Sequence, residues 1–371
     1  MNHENFMQSH YEMAKTLLMT LGKIPAPSHF EDQRAAFCKQ WFIDHKAKDV
    51  YIDQAKNVIC KVKGRRDDLV IMMAHMDVVF DDRDELPMVK DGNILRCPGI
   101  GDDTANLVNL LMGYLYVLDS NIVPEYTLLF VCNACEEGLG NLDGCKEIMK
   151  KYAAKMAYFY SFDGYIPGIT SRAVGSYRYK ITIKTEGGHS YGAFGNKNAI
   201  VEMSKLILDL DQIELPKEVK TTYNVGVIEG GSTVNSIAQE CSILYEFRSE
   251  SMDNLEYMQS KLNAILTQYR NNGIDIENKV LGIRPGSKLD NLEELDAWTN
   301  ENIKIVQKYT DRPIALHAGS TDANIPLSFG LKANTIGTVI GKGAHTREEW
   351  VDLTSLKQGM LIVLDVVEKY M

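Results

Sequence analysis

The sequence predicts an α/β chain, a larger domain with a mostly parallel sheet flanked by helices, interrupted by a smaller α+β domain. Three observations predict it. Apolar strand-like runs alternate with helical spacing up to about Phe162, the alternation becomes one-faced near Gly175, and the first pattern returns after Leu289. Strand–helix alternation of this kind builds a sheet covered by helices on both sides.

Taken in order, Tyr11 to Leu21 and Phe30 to His45 read as amphipathic helices, and Val58 to Lys63 and Leu69 to His75 as strands. The second strand is almost continuously apolar, as a strand buried on both faces must be. Ala105 to Leu118 is helical in spacing, Tyr126 to Cys132 is a buried strand, Asp143 to Lys151 a helix and Ala157 to Phe162 a strand. From Tyr177 to Lys184 polar and apolar residues alternate, which suits a sheet with one solvated face. A helix (Ala199 to Leu210), two strands (Thr222 to Ile228 and Ser236 to Arg248), a helix (Asn254 to Tyr269) and a strand (Ile274 to Val280) complete a split βαβ, ferredoxin-like order. A helix to Tyr309, a strand near Ala333 to Ile340 and a helix from Thr354 resume the first style. The expected division is 1–172 with 286–371 for the larger domain, and 173–285 for the insert.

At 371 residues the chain is too long for one ordinary core, and 45% hydrophobic with 24% charged residues is a globular composition. A net charge of -10 with mixed signs argues against a nucleic-acid partner, which needs clustered Lys and Arg. No apolar run approaches the ~20 residues that span a bilayer. Met1 to His10 is polar, without the apolar stretch of a secretory leader, so a cytoplasmic location and no membrane partner are expected. Seven scattered cysteines, an odd count, do not suggest a disulfide framework. Cys132 and Cys135 form a C-x-x-C, but with no second pair they read as small buried hydrophobes before a redox or zinc pair.

Five stretches set metal-compatible side chains just past apolar strands or in nearby loops, where open α/β sheets gather ligands. They are Ala74-His75-Met76-Asp77, Gly99-Ile100-Gly101-Asp102-Asp103, Cys135-Glu136-Glu137-Gly138, Ser161-Phe162-Asp163-Gly164 and Gly343-Ala344-His345-Thr346. Asp77, two residues on from His75, is placed to accept the proton on the second ring nitrogen. A carboxylate after Gly101 can bridge two cations, and of two adjacent acids at 136 and 137 one can bind metal while the other acts as a base. Each piece alone reads more simply as a cap or a solvated turn; five in series do not. Two His and three carboxylates without a thiolate suit zinc, with manganese or cobalt as substitutes.

With these motifs the sequence resembles the M20 family of co-catalytic zinc peptidases and acylases. Its members include peptidase T, which the pattern resembles, carboxypeptidase G, acetylornithine deacetylase and aminoacylase. The resemblance runs over nearly the whole chain: His75-x-Asp77, Gly101-Asp102-Asp103, Glu136-Glu137-Gly138, Asp163-Gly164, the insert and His345. It implies a phosphorylase/hydrolase-like catalytic domain and a lid or dimerisation insert, with a homodimer formed through 173–285.

The resemblance also implies roles. Asp102 bridges two zincs, with a cis peptide to Asp103; His75 and Asp163 complete one site, Glu137 and His345 the other. Glu136 is the base for a water bridging the metals, and Asp77 belongs to the catalytic set beside it. His189, in Gly187-Gly188-His189, and Asn235, in Gly230-Gly231-Ser232-Thr233-Val234-Asn235, hold the scissile carbonyl or the substrate, and in relatives the matching His often comes from the partner subunit. Arg248 grips a substrate carboxylate. Read without the family, His189 is a polar turn residue and Arg248 a surface charge.

Two departures lie close to the substrate: Thr104-Ala105-Asn106 replaces the usual residues after the acidic pair, and Ser190 to Phe194 lacks a proline common there. An Asp at 163, where deacylases and carboxypeptidases carry Glu, favours a small peptide with a free amino terminus, cleaved by an aminopeptidase or a di- or tripeptidase. The alternative is an N-acyl amino acid deacylase using the same metals. A non-catalytic scaffold would have a broken ligand set, whereas all five ligands and Glu136 are present. Ser320-Thr321-Asp322 is expected to shape the wall of the site, with no role assigned.

Overall fold

The computed structural model describes residues 2–288, 290 and 292–371. The chain divides into two units, Met1–Ala173 with Leu289–Met371, and Val174–Lys288.

The first unit is built on an eight-stranded mixed sheet. Its order is Val50–Ile52, Val58–Val62, Thr127–Asn133, Leu69–His75, Met156–Phe162, Ala333–Ile336, Gly168–Ala173, Ala315–Gly319. The four middle strands, from Thr127–Asn133 to Ala333–Ile336, run parallel, so their carboxyl ends open on one edge. Leu69–His75 and Thr127–Asn133 are buried at every position, the physical reason for their unbroken apolar sequences. Helix Ala105–Ser120 is buried almost throughout, packs on Leu356–Glu368, and stops at Asn121 in the left-handed conformation.

The first helix is longer than its amphipathic stretch suggests, His3–Lys23. The Asn2 side chain caps it by accepting the Glu4 N–H, and Phe6 and Met7 already belong to the core. A second, four-stranded antiparallel sheet has no counterpart in the expected elements. It joins Gly341–Lys342, Trp350–Asp352, Ile94–Arg96 and Val89–Asp91, and so fastens the segment after His345 to the segment before Asp102.

The second unit has the expected βαββαβ order, with strands ordered Thr221–Gly230, Glu240–Ser249, Gly175–Lys184, Asp275–Arg284, all antiparallel. Helices Ala199–Asp211 and Met252–Asn271 supply Leu206, Leu210, Leu255 and Leu262 to a core shared with Ile181, Ile243 and Phe247. The stretch expected as one strand from Ser236 to Arg248 is two, Ser236–Ile237 and Glu240–Ser249. The break lies where Ala238 gives its carbonyl to the Ala199 N–H and the Thr185 hydroxyl. The short piece pairs with Gly188–His189 instead.

Among the described residues no helix is long and apolar enough to cross a membrane. All seven cysteines, Cys132 and Cys135 included, are buried and free.

Candidate metal centre

Parallel strand ends bring the first ligands together. His75 ends one middle strand, Glu136 and Glu137 follow the neighbour ending at Asn133, and Asp163 follows the strand ending at Phe162. Asp102 arrives from a kinked turn at the entry to helix Ala105–Ser120; its own φ and ψ, -114° and 86°, are not helical, and the Asp102–Asp103 peptide is cis.

Three sets of donor atoms, each within 4.8 Å of one another, form at this edge: His75, Asp102 and Asp163; Asp102, Glu137 and His345; and His75, Glu136 and Glu137. Asp102 is common to the first two. Its Oδ1 lies 3.1 Å from His75 Nε2 and its Oδ2 3.3 Å from His345 Nε2, while Glu137 Oε2 is 3.1 Å from the same His345 nitrogen.

Asp77 faces Nδ1 of the His75 ring with two acceptors. The nearer acceptor for Nδ1 is the Asp77 main-chain carbonyl at 3.0 Å, with the carboxylate at 3.5 Å. That carboxylate has other work. It accepts the Glu136 N–H at 3.0 Å, the Glu137 N–H at 2.9 Å and the Ser28 hydroxyl at 2.7 Å, and so holds the acidic pair at its backbone.

The electrostatics are those of crowded carboxylates. Burial, reinforced by Asp102, pushes Asp163 well above the usual carboxylate range. Burial and the same neighbour push Glu137 up to about 7 against the opposing pull of His345. Asp102 goes the other way: its burial is outweighed by hydrogen bonds from His345 and His75, which hold it below the usual range. Bonds to Asp102 and Glu137 raise His345 to about 11. A cation at this place would relieve the repulsion. Glu137 Oε1 is buried with no hydrogen-bond partner, an acceptor left over in a set of hard oxygen and imidazole donors. The residues fit a metal pair sharing Asp102.

Residues to which the sequence reading gave no supporting role hold this set in place. Asp103 accepts the His75 N–H at 2.8 Å. Buried Arg34 donates to the Met76 carbonyl at 2.8 Å and the Thr104 hydroxyl at 3.1 Å, bracing the chain between His75 and Asp77. Glu31 accepts the Cys135 N–H at 3.0 Å. Asn106 donates to the carbonyls of Gly101 and Gly164 and accepts from the Thr338 N–H, tying the Asp102 and Asp163 loops together. Asp322, the last residue of the Ser320–Asp322 stretch expected to shape the wall of the site, is fully buried and accepts from Asn133 at 2.6 Å. The one sequence signal for these was polarity inside apolar surroundings, as at Asn106 beside Leu107 and Val108.

His189, Asn235 and Arg248 belong to the second unit. The first two are neighbours there, since Gly188–His189 pairs with Ser236–Ile237 and the Ser190 N–H donates to the Asn235 carbonyl at 2.9 Å. His189 Nδ1 accepts the N–H groups of Tyr191 and Gly192 at 3.3 and 3.4 Å, so a neutral ring carries its proton on Nε2, as a donor. Arg248 stands apart from them on the larger sheet, bonded through Nε and Nη2 to both oxygens of Glu246 at 3.0 and 3.1 Å.

Comparison with known proteins bears on this centre. The family model described as peptidase dimerisation domain of the M20 type matches residues 172–273. A second, peptidase family M28, matches residues 57–194. The uncharacterised protein YqjE of Bacillus subtilis is 26% identical over 330 residues, 85% of either chain. The crystal structure of aminopeptidase PepT from Bacillus cereus superposes with a TM-score of 0.76 at 22% identity, covering 97% of this chain and 98% of that one. The Bacillus subtilis protein YXEP, described as a dinuclear metal binding peptidase of the M20 family, does so with a TM-score of 0.65 at 15% identity, covering 98% and 100%. The M28 match ends soon after the insert begins, whereas the M20 match takes in most of the insert and the M20 structures span the whole chain. The dimerisation-type insert, the fold shared with PepT and YXEP and the carboxylate–imidazole centre together support an M20-type metallopeptidase.

Proposed function

We propose that this protein hydrolyses the peptide bond of small peptides with a free amino terminus, as an aminopeptidase or a di- or tripeptidase, with two zinc ions held by His75, Asp102, Glu137, Asp163 and His345. The observation that carries the reading is the shared Asp102, whose Oδ1 lies 3.1 Å from His75 Nε2 and whose Oδ2 lies 3.3 Å from His345 Nε2. Manganese or cobalt would substitute, the donors being the same.

Two zincs, when bound, polarise an amide carbonyl and lower the pKa of water toward ~7. The chain's own groups do the rest. Glu136, in a set within 4.8 Å with His75 and Glu137, takes the proton of the attacking water and passes it to the departing amine. Its main chain is fixed through Asp77, so the base is aimed before substrate arrives. His189, donating from Nε2, and Asn235 steady the carbonyl oxygen as charge develops, worth ~3 kcal/mol per well-placed donor. Arg248 takes a substrate carboxylate. The insert, 173–285, serves as the lid and homodimer surface, and the protein works in the cytoplasm on peptides, without nucleic acid or membrane.

Asp at 163 supports peptidase over N-acyl amino acid deacylase, and so does the fold shared with aminopeptidase PepT. The test is a side-by-side assay of a tripeptide, a dipeptide and an N-acetyl amino acid with zinc-loaded protein. Faster turnover of a peptide is expected; faster turnover of the acetylated substrate would replace this reading with the deacylase.

A further inference from the structure

Four residues beyond His345, Glu349 is fully buried, yet its carboxylate is surrounded by donors. Oε2 accepts the Gly99 N–H at 2.7 Å, and Oε1 accepts the N–H groups of Gly101 and Asp102 at 3.0 and 2.8 Å and the Tyr165 hydroxyl at 2.8 Å. Three of these donors are the backbone of the turn that presents Asp102. The fourth lies two residues past Asp163.

Glu349 also sits in the loop that carries His345. That loop is closed by the Thr346 N–H on the Gly343 carbonyl and the Glu349 N–H on the Thr346 carbonyl, and the Glu349 carbonyl accepts the Cys97 N–H at 3.2 Å. His345 itself has a φ of 63° and a side chain 59% exposed, so packing does little to hold it. A buried carboxylate costs several kcal/mol unless it is fully bonded. Here the bonds that offset the cost run from the His345 loop to the segments bearing Asp102 and Asp163.

We propose that Glu349 is a positioning residue: it sets the separation of Asp102 from His345, and thereby the affinity of the site made by Asp102, Glu137 and His345. The proposal rests on the two-metal reading above. A glutamine at 349 keeps the volume but has one acceptor oxygen, so its amide NH2 must face at least one of the N–H donors and loosen the Asp102 turn.

The test compares chelator-stripped wild type, Glu349→Gln and Glu348→Gln, the last being the same change on the exposed neighbour. Zinc binding is followed by equilibrium dialysis, folding by circular dichroism, and peptide hydrolysis against free zinc. Glu349→Gln is expected to bind the weaker of two ions about 10- to 100-fold less tightly, with hydrolysis recovering toward wild type at saturating zinc, while Glu348→Gln matches wild type. A lower melting temperature with unchanged zinc affinities would make Glu349 merely structural and overturn the proposal. If Glu349→Gln does not fold, Tyr165→Phe removes one of the four donors. A smaller, zinc-reversible loss supports the proposal, and unchanged affinity overturns it. Wild type that binds fewer than two ions overturns the two-metal reading, and this proposal with it.

Discussion

The Asp77 carboxylate lies 2.9 Å from the main-chain nitrogen of Glu137, so the residue that follows a ligand on one strand anchors a ligand beyond the next. The contact spans 60 positions of sequence, and with the Glu136 N–H it fixes base and ligand as one unit. Asp77→Ala is expected to strand both N–H groups, at about 1–3 kcal/mol for each buried group left unsatisfied. Activity should fall at least 10-fold even where the protein still folds. Thermal melts alongside kcat at saturating zinc check it.

Glu136→Gln removes the proposed base and keeps the shape. With the five ligands intact, zinc content should match wild type, KM should change little, and kcat should drop about 10²- to 10⁴-fold. Metal analysis and steady-state kinetics on the same preparation decide it.

These two predictions rest on residues that were legible in the sequence. His75, Glu137 and Asp163 stand at the ends of apolar runs, and burial on both faces is written into those runs residue by residue. Asp102 was legible for another reason, the glycines beside it. The supporting residues were not. Glu349 meets Gly99 across 250 positions and Glu31 meets Cys135 across 104, and no local pattern marks a polar residue whose partner is chosen by tertiary packing. The antiparallel sheet around Trp350–Asp352 was missed for a related reason, since two- and three-residue strands carry too few side chains to show alternation. The break at Ala238 was hidden because no glycine or proline marks it.

Asp322 adds a pH signature that its own substitution separates from those of Glu137 and Asp163, which burial raises as well. Burial, with the charges of Glu136 and Asp77 added, pushes it up to about 8, against ~3.9 for an unfolded Asp. The folded state therefore binds the proton that the unfolded chain has released, and stability falls as pH rises from about 4 through 8. In chelator-stripped protein the melting temperature should decline from pH 6 to pH 9, and Asp322→Asn, neutral throughout, should decline less. Parallel profiles for the two would contradict the assignment.

Metal removal should cost stability as well as activity. The close acids Asp102, Glu137 and Asp163 repel one another without a cation between them, and an ion bound only by the folded state adds RT ln(1 + [L]/Kd), about 2.7 kcal/mol at a hundredfold excess over Kd. Chelation is expected to abolish hydrolysis and lower the melting temperature, both restored by zinc. Because Glu137 and Asp163 must release protons to bind, zinc affinity should rise with pH.

The claim on which the rest depends is a pair of metals sharing Asp102. Zinc titrated into the chelator-stripped protein, with tripeptide hydrolysis read at each step, tests it most directly. Hydrolysis that climbs to a plateau at two equivalents per chain is the predicted result. A plateau at one equivalent, or turnover that ignores added zinc, would contradict it.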